Sequence, residues 1–434
     1  MSTVGEPPLH HRRRSRLWRH RDFLQLWSAE TVSQLGSQVS LLALPLIAIK
    51  QLKATPFEVG ALSALEFLPF ILVGLPAGVW VDRLRRRPIL IAGDVGRALA
   101  LASIPIAWAL GALTIWQLYA VGFVTGVLTV FFDVAYMAFL PAIVEGDDLP
   151  EGNAKMEISR SGAQIAGPGL AGLLIGALTA PLAVIVDAVS FLGSAAFIGR
   201  IRVHESDPEP DDAAVRMRTQ IADGLRYVLG HRLLRPIALS TATTNLFNSI
   251  STAVVLLYFV RRAHLSAGAI GLVLMIGNIG FLFGAALSTR LEHRFGVGRV
   301  IVLSTALTSP FALLTPLAPL HSIIPFAIGA QLATSLGQPL YNIAQVSLRQ
   351  SICPDRLQGR MNASMRFMVW GTIPIGSFVG GALGGFIGLR ATLFIGALGS
   401  CVAFVYPLLS PVWRVRTISE AIEEERRLAV TRPA

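Results

Sequence analysis

Charge is scarce in this chain. Asp, Glu, Lys and Arg make up 15% of its 434 residues, where an ordinary soluble domain carries roughly 25%. Lysine is almost missing: Lys50, Lys53 and Lys155 are the whole complement. None of them follows a glycine, so the Gly-Lys-[Ser/Thr] loop that cradles phosphates is absent and no nucleotide-driven pump is encoded. Neither a His-Glu-x-x-His helix nor a Gly-x-Ser-x-Gly elbow occurs, which removes local support for a membrane protease or lipase. Cysteine is equally thin. Cys353 and Cys401 cannot build a disulfide framework or a Cys-rich metal site, and neither a metal nor a cofactor is expected.

What is present is grease. Apolar residues account for 53% of the chain and the mean hydropathy is +0.60. The few charges are clustered, leaving uncharged stretches of the roughly 20 residues that a helix needs to cross hydrocarbon. Apolar runs between charge clusters predict spans at 23–49, 56–81, 88–110, 115–140, 158–179, 181–199, 236–260, 268–289, 299–318, 321–345, 367–388 and 390–410. Only the turn at Thr179-Ala180-Pro181 divides the fifth from the sixth, and Pro316, Pro319 and His321 mark the turn between the ninth and tenth. Met1 to Arg21 is polar and basic with a full span directly behind it, so no cleavable signal is expected.

The net charge of +11 invites a nucleic-acid reading. Arginine spread between apolar segments is instead the mark of membrane topology, and no nucleic-acid partner is expected. With the N-terminus placed inside, only Lys50, Lys53, Arg261, Arg262 and Arg390 of the 37 basic residues fall outside. Positive residues accumulate on the cytoplasmic side of membrane proteins. The count therefore predicts a multi-pass protein of the inner (plasma) membrane with both termini cytoplasmic.

The longest polar stretch, 200–235, sits midway. It divides the chain into a basic N-terminus (1–22), an N-terminal six-helix bundle (23–199), a central cytoplasmic loop, a C-terminal bundle (236–410) and a cytoplasmic tail (411–434). The loop opens with an acidic, Pro-containing piece, Glu205 to Asp212, that reads as a linker. It continues with Met217, Ile221, Leu225 and Leu229, an apolar stripe beside Arg216, Arg218 and Arg226. That pattern suits a helix lying on the anionic leaflet or one packed on the bundle. The halves look like repeats: Asp148 to Asn153 precedes Gly167-Pro168-Gly169, and Asp355 to Arg360 precedes Pro374-Ile375-Gly376, at an offset of 207 residues. Paired six-helix halves of this kind are one transporter architecture.

The sharpest local signal is Gly78-Val79-Trp80-Val81-Asp82-Arg83-Leu84-Arg85-Arg86-Arg87 at the inner end of the second span. A glycine permits close helix approach, a boundary carboxylate can cap a helix or pair with arginine, and the arginines hold the loop at the surface. Such a cluster can latch two bundles in one state and release them in another; a plain topogenic loop is the alternative. Gly162, Gly167, Pro168, Gly169, Gly172 and Gly176 make a second signal, a span able to pack tightly and bend at Pro168.

These motifs resemble the major facilitator superfamily, whose loop between helices two and three reads G-x-x-x-D-R-x-G-R-R. Gly78, Asp82, Arg83, Arg86 and Arg87 match, while Arg85 replaces the second glycine. The corresponding loop of the second half, Gly284 to Arg299, is degenerate, with Ser288 near the acidic position. Any latch is therefore asymmetric. Gly167, Pro168, Gly169 and Gly172 are similar to the glycine-proline motif of the superfamily's antiporters. Residues 31–38, 131–136 and 180–187 resemble the drug:proton antiporter branch that includes macrolide, tetracycline and siderophore exporters. The resemblance implies an all-α membrane protein of major facilitator fold, with twelve transmembrane helices in two six-helix bundles. It also implies efflux, with multidrug resistance as the physiological outcome.

Carboxylates inside lipid cost several kcal/mol and must face the bundle interior or water. At 1.5 Å rise per residue, Glu30 lies about 12 Å into the first span and Glu66 about 15 Å into the second. These two are the leading candidates for proton coupling or for binding a cationic substrate. Asp133 and Asp187 join them as candidates, although they and the i, i+3 pair Asp94/Arg97 suit structural roles better. Gln34, Gln38, Asn245, Asn248, Asn278, Gln331, Asn342 and Gln345 either line a cavity or bond helix to helix. The sequence thus predicts a non-enzymatic, monomeric secondary transporter, exchanging protons for small amphipathic compounds by alternating access in the bilayer. A siderophore or other metabolite exporter, an importer of the same fold, and a non-transporting sensor or assembly factor stay open.

Overall fold

The computed structural model describes residues 16–144, 146–202 and 217–431. The first residues of the basic N-terminus and the Glu205–Asp212 linker lie outside them. Among the described residues there is no strand. The N-terminal half contains α1 (Arg21–Lys50), α2 (Pro56–Leu72), α3 (Gly74–Asp82), α4 (Arg86–Ala109), α5 (Ile115–Ile143), α6 (Leu149–Leu178) and α7 (Ala180–Gly199). After α8 (Met217–Gly230), the C-terminal half contains α9 (Leu234–Arg261), α10 (Ala267–Phe295), α11 (Val297–Thr308), α12 (Leu314–Leu317), α13 (Ile323–Ile352), α14 (Asp355–Phe386), α15 (Leu389–Val402) and α16 (Val405–Leu408). The chain closes with α17 (Ile418–Thr431).

Eleven of the helical segments are long and apolar enough to cross a bilayer; α2 and α3 together make the remaining span. Local chemistry explains several boundaries. Thr55 and Glu58 form a capping box with Pro56 in the first turn of α2, satisfying backbone donors that would otherwise be orphaned at the membrane surface. Pro76 cannot donate to Leu72 and its ring crowds that carbonyl, so the second span breaks at Val73 rather than running straight from 56 to 81 as the apolar run suggests. Leu99, Leu173 and Phe386 are 67%, 68% and 88% exposed, the outward face expected of helices solvated by lipid.

Two helix pairs make the main joints between the halves, α6 with α10 and α2 with α14. Both are glycine contacts. A Cβ at Gly172 would stand 2.6 Å from the Ala267 carbonyl oxygen, and one at Gly60 would stand 2.5 Å from that of Ser377. At this end Arg261 also donates to the Ala54 carbonyl, and one buried cluster runs through Leu62, Ala171 and Val184 to Val254, Leu257 and Ile270. At the opposite end, which carries the arginine loops, the core divides. Phe23, Leu90, Phe139 and Ile198 belong to one cluster, and Ile237, Ile301, Leu348 and Met361 to another.

The helix α8 lies against the beginning of α14. Its buried face is Gly224, where a Cβ would meet the Arg360 carbonyl, and Val228, whereas Leu229 of the expected stripe is 39% exposed. Packing on the bundle, one of the two readings of this segment, is present at Gly224 and Val228, while the side chains of Met217 and Ile221 lie outside the described residues. The tail is also docked: Val297 and Gly298 donate to the carbonyls of Arg416 and Val415, Ala421 is buried, and Arg232 pairs with Glu424 at 2.9 Å.

Candidate functional site

Between the halves, on the side of the arginine loops, lies a cavity of about 830 Å3. The N-terminal half lines it with Phe70 and Ile71 of α2, Gly74 of α3, and Asp133 and Met137 of α5. The C-terminal half contributes Thr241, Asn342, Gln345, Arg349, Arg366 and Trp370. Phe70 and Trp370 meet across the seam with ring centroids 5.1 Å apart, and the Arg366 guanidinium lies over Trp370 at 5.4 Å. An apolar and aromatic pocket with a few converging polar groups is the usual form of a small-molecule site.

The predicted carboxylates are not gathered at one point. Asp133 lines the main cavity. Glu30 lines a neighbouring one of about 350 Å3 with Tyr136, Asn153 and Arg160, and accepts a hydrogen bond from Gln34 Nε2 at 2.7 Å. Glu66 lines neither cavity. It sits one turn before Phe70 on α2, with its side chain against Gly122 of α5, and no hydrogen bond or ion pair to its carboxylate is found among the described residues. Asp187 is 1% exposed, accepts from Ser190 Oγ at 3.1 Å and faces Gly36 of α1.

Asp94 and Arg97 pair at 2.5 Å in the interior of the N-terminal half. The guanidinium is sandwiched between the rings of Phe132 and Phe191, at 4.3 and 4.1 Å, and reaches Thr129 Oγ1 at 3.4 Å. These partners are on α4, α5 and α7, so the pair ties helices within one half.

Arg87, at the end of the 78–87 loop, is anchored on its own half. Arg87 donates from Nε to the Ile198 carbonyl at 3.2 Å and from Nη2 to that of Gly199, satisfying free carbonyls at the end of α7. Among the described residues a Cβ at Gly78 would meet no atom within 4 Å, so none of them makes the close helix approach expected there. The Asp82 side chain lies outside the described residues. In the glycine-proline segment, by contrast, close approach is realised on two sides. Gly167 abuts Gln38 of α1, Gly169 abuts Met275, and the Pro168 carbonyl and Gly172 receive Gly271 of α10.

Among the amides, Asn342 and Gln345 line the cavity, Asn245, Asn278 and Gln331 bond helix to helix, and Gln34 donates to Glu30 within α1. Asn278 donates to the Gln164 carbonyl across the halves at 2.8 Å and accepts from Gln331, while Asn245 donates to the Val369 carbonyl. Arg349 and Arg366, which fall outside the predicted spans 321–345 and 367–388, lie within α13 and α14 and line the cavity wall. The signal for them was periodic: Ala344, Leu348 and Ile352, and then Met361 and Met365, are buried at helical spacing on either side of the loop.

The sequence profile of the transmembrane secretion effector family matches residues 17–428. The chain is 26% identical to the multidrug efflux pump Tap of Mycolicibacterium fortuitum over 368 residues, covering 82% of this chain and 88% of that protein. It is 21% identical to macrolide efflux protein A of Streptococcus pyogenes over 401 residues, covering 90% and 96%. Among solved structures it resembles a bacterial homologue of the iron transporter ferroportin in its inward-facing state. There the TM-score is 0.70 and the identity 17%, with 89% of this chain and 98% of that one covered.

Proposed function

Because the chain belongs to the transmembrane secretion effector family of the major facilitator superfamily, a family of transporters and not enzymes, we propose that it exports small amphipathic compounds from the cytoplasm in exchange for protons. The observation that carries this reading is the division of the core. The halves share one buried cluster at the end holding Gly60 and Gly172 and keep separate clusters, with a cavity between them, at the arginine-rich end. With that end assigned to the cytoplasm by its charge, this is a state open to the cytoplasm, ready to load. Rocking the halves about the seam would close the cavity there and open it on the far side.

In this scheme Glu30 and Asp133 exchange protons with water through the two cavities. Glu66, half-buried one turn before Phe70 with no partner to its carboxylate among the described residues, couples its proton to the approach of α2 and α5. Asp187, held by Ser190, is the candidate whose surroundings suit a structural role. The loop at 83–87 engages the other half when the cavity closes. Relatives named for multidrug and macrolide efflux support the direction and the amphipathic class.

The test is an energised everted-vesicle assay with a pH-sensitive dye and a panel of amphipathic compounds. Substrate addition should release luminal protons, a protonophore should abolish uptake, and Glu66→Gln should abolish release while leaving the protein folded. A folded, membrane-inserted protein that gives no proton release with any compound of a broad panel would remove antiport.

A further inference from the structure

We propose that the cavity between the halves selects compounds bearing an acidic group (a carboxylate, sulfonate or phosphate) on an aromatic or otherwise apolar body. This rests on the transport reading of the same cavity and narrows its substrate. Three charged side chains line the wall: Asp133 from the N-terminal half, and Arg349 and Arg366 from the C-terminal half. Among the described residues neither arginine forms an ion pair or a hydrogen bond through its side chain. Among the described residues the Arg349 Nε is buried with no acceptor, while Arg366 lies over the Trp370 ring and interacts electrostatically with Asp133. One carboxylate against two guanidiniums leaves the cavity positive, and low-dielectric walls focus that field on whatever enters. A guanidinium presents a planar fork of donors that matches carboxylate and phosphate geometry.

The rest of the wall states what the acidic group is attached to. Phe70 and Trp370 offer ring faces at the seam, next to the arginine on α14. Gln345 is only 4% exposed, and its Oε1 has no hydrogen-bond partner among the described residues, leaving a buried acceptor for a hydroxyl or N–H of the ligand. An acid with an apolar ring and a donor answers each of these groups. An amine of the same shape would find one carboxylate and two repelling cations.

The test uses the purified full-length protein in lipid nanodiscs and three matched probes: 2-naphthylacetate, 2-naphthylacetamide and 2-naphthylethylamine. Their binding is measured by titration calorimetry. The acid should bind about tenfold or more tighter than the amine, the scale of one charge-assisted contact. R349Q and R366Q should each erode that preference, R349K and R366K should retain most of it, and D133N should tighten acid binding. Equal or tighter binding of the amine, no binding of the acid at millimolar concentration, or an undiminished preference in both glutamine variants would overturn the proposal. The vesicle assay separates this failure from that of export. Proton release driven by amines alone would sink the acid selectivity and leave the antiporter standing.

Discussion

Arg97 is 4% exposed in the middle of a membrane bundle, and its charge is answered by Asp94 and two aromatic rings. Removing one partner of a buried ion pair leaves the other uncompensated and costs about 3–5 kcal/mol. Asp94→Asn should therefore lower the thermal unfolding midpoint of the purified protein sharply. Replacing both residues, as D94L/R97M, should be far milder. Thr179 offers the opposite experiment. It joins α6 to α7 at φ 77° and ψ 156°, close to the φ 88° and ψ 158° of Gly388 between α14 and α15. A β-branched residue in this glycine-only region is strained by about 1–3 kcal/mol, so Thr179→Gly should raise the melting temperature; an unchanged or lower value would contradict the strain.

At the scale of helices, the contacts joining the halves depend on missing side chains. A Cβ at Gly381 would lie 2.8 Å from the Pro56 carbonyl, and one at Gly271 would lie 2.4 Å from that of Pro168. Backbone cannot give way as a flexible side chain can. G172V and G381V should therefore pry the far end open, and spin labels at K53C and R262C, in a chain freed of Cys353 and Cys401, should report a longer mean distance than in the parent.

Which helices cross the bilayer was legible in the sequence, because length and charge placement decide it and neither requires tertiary knowledge. Where helices stop was less so. An apolar run ending at 345 hid two amphipathic turns of α13, since Leu348 and Ile352 are buried while Arg349 faces the cavity. The glycine-proline segment was readable as a packing motif, but not which helix it would receive. Glu30 and Glu66 stood out as charges in grease, whereas the cavity wall that holds Arg366, Trp370 and Phe70 exists only once two distant segments meet.

Across the whole molecule, the docked tail belongs to the stability of the C-terminal half. Ala421 and Val415 join the same buried cluster as Ile301 and Leu348. Truncation after residue 410 should lower the unfolding midpoint measured on tryptophan fluorescence, while truncation after 431 should not.

The hydrogen bonds from Arg87 to the end of α7 carry a consequence for how such a machine keeps time. They make the arginine turn a rigid tooth of its own half, a pawl and not a swinging strap. Its engagement would then be set by the tilt between the two bodies, so that breaking Arg87 away from α7 would blur the switching angle before it weakened the catch itself.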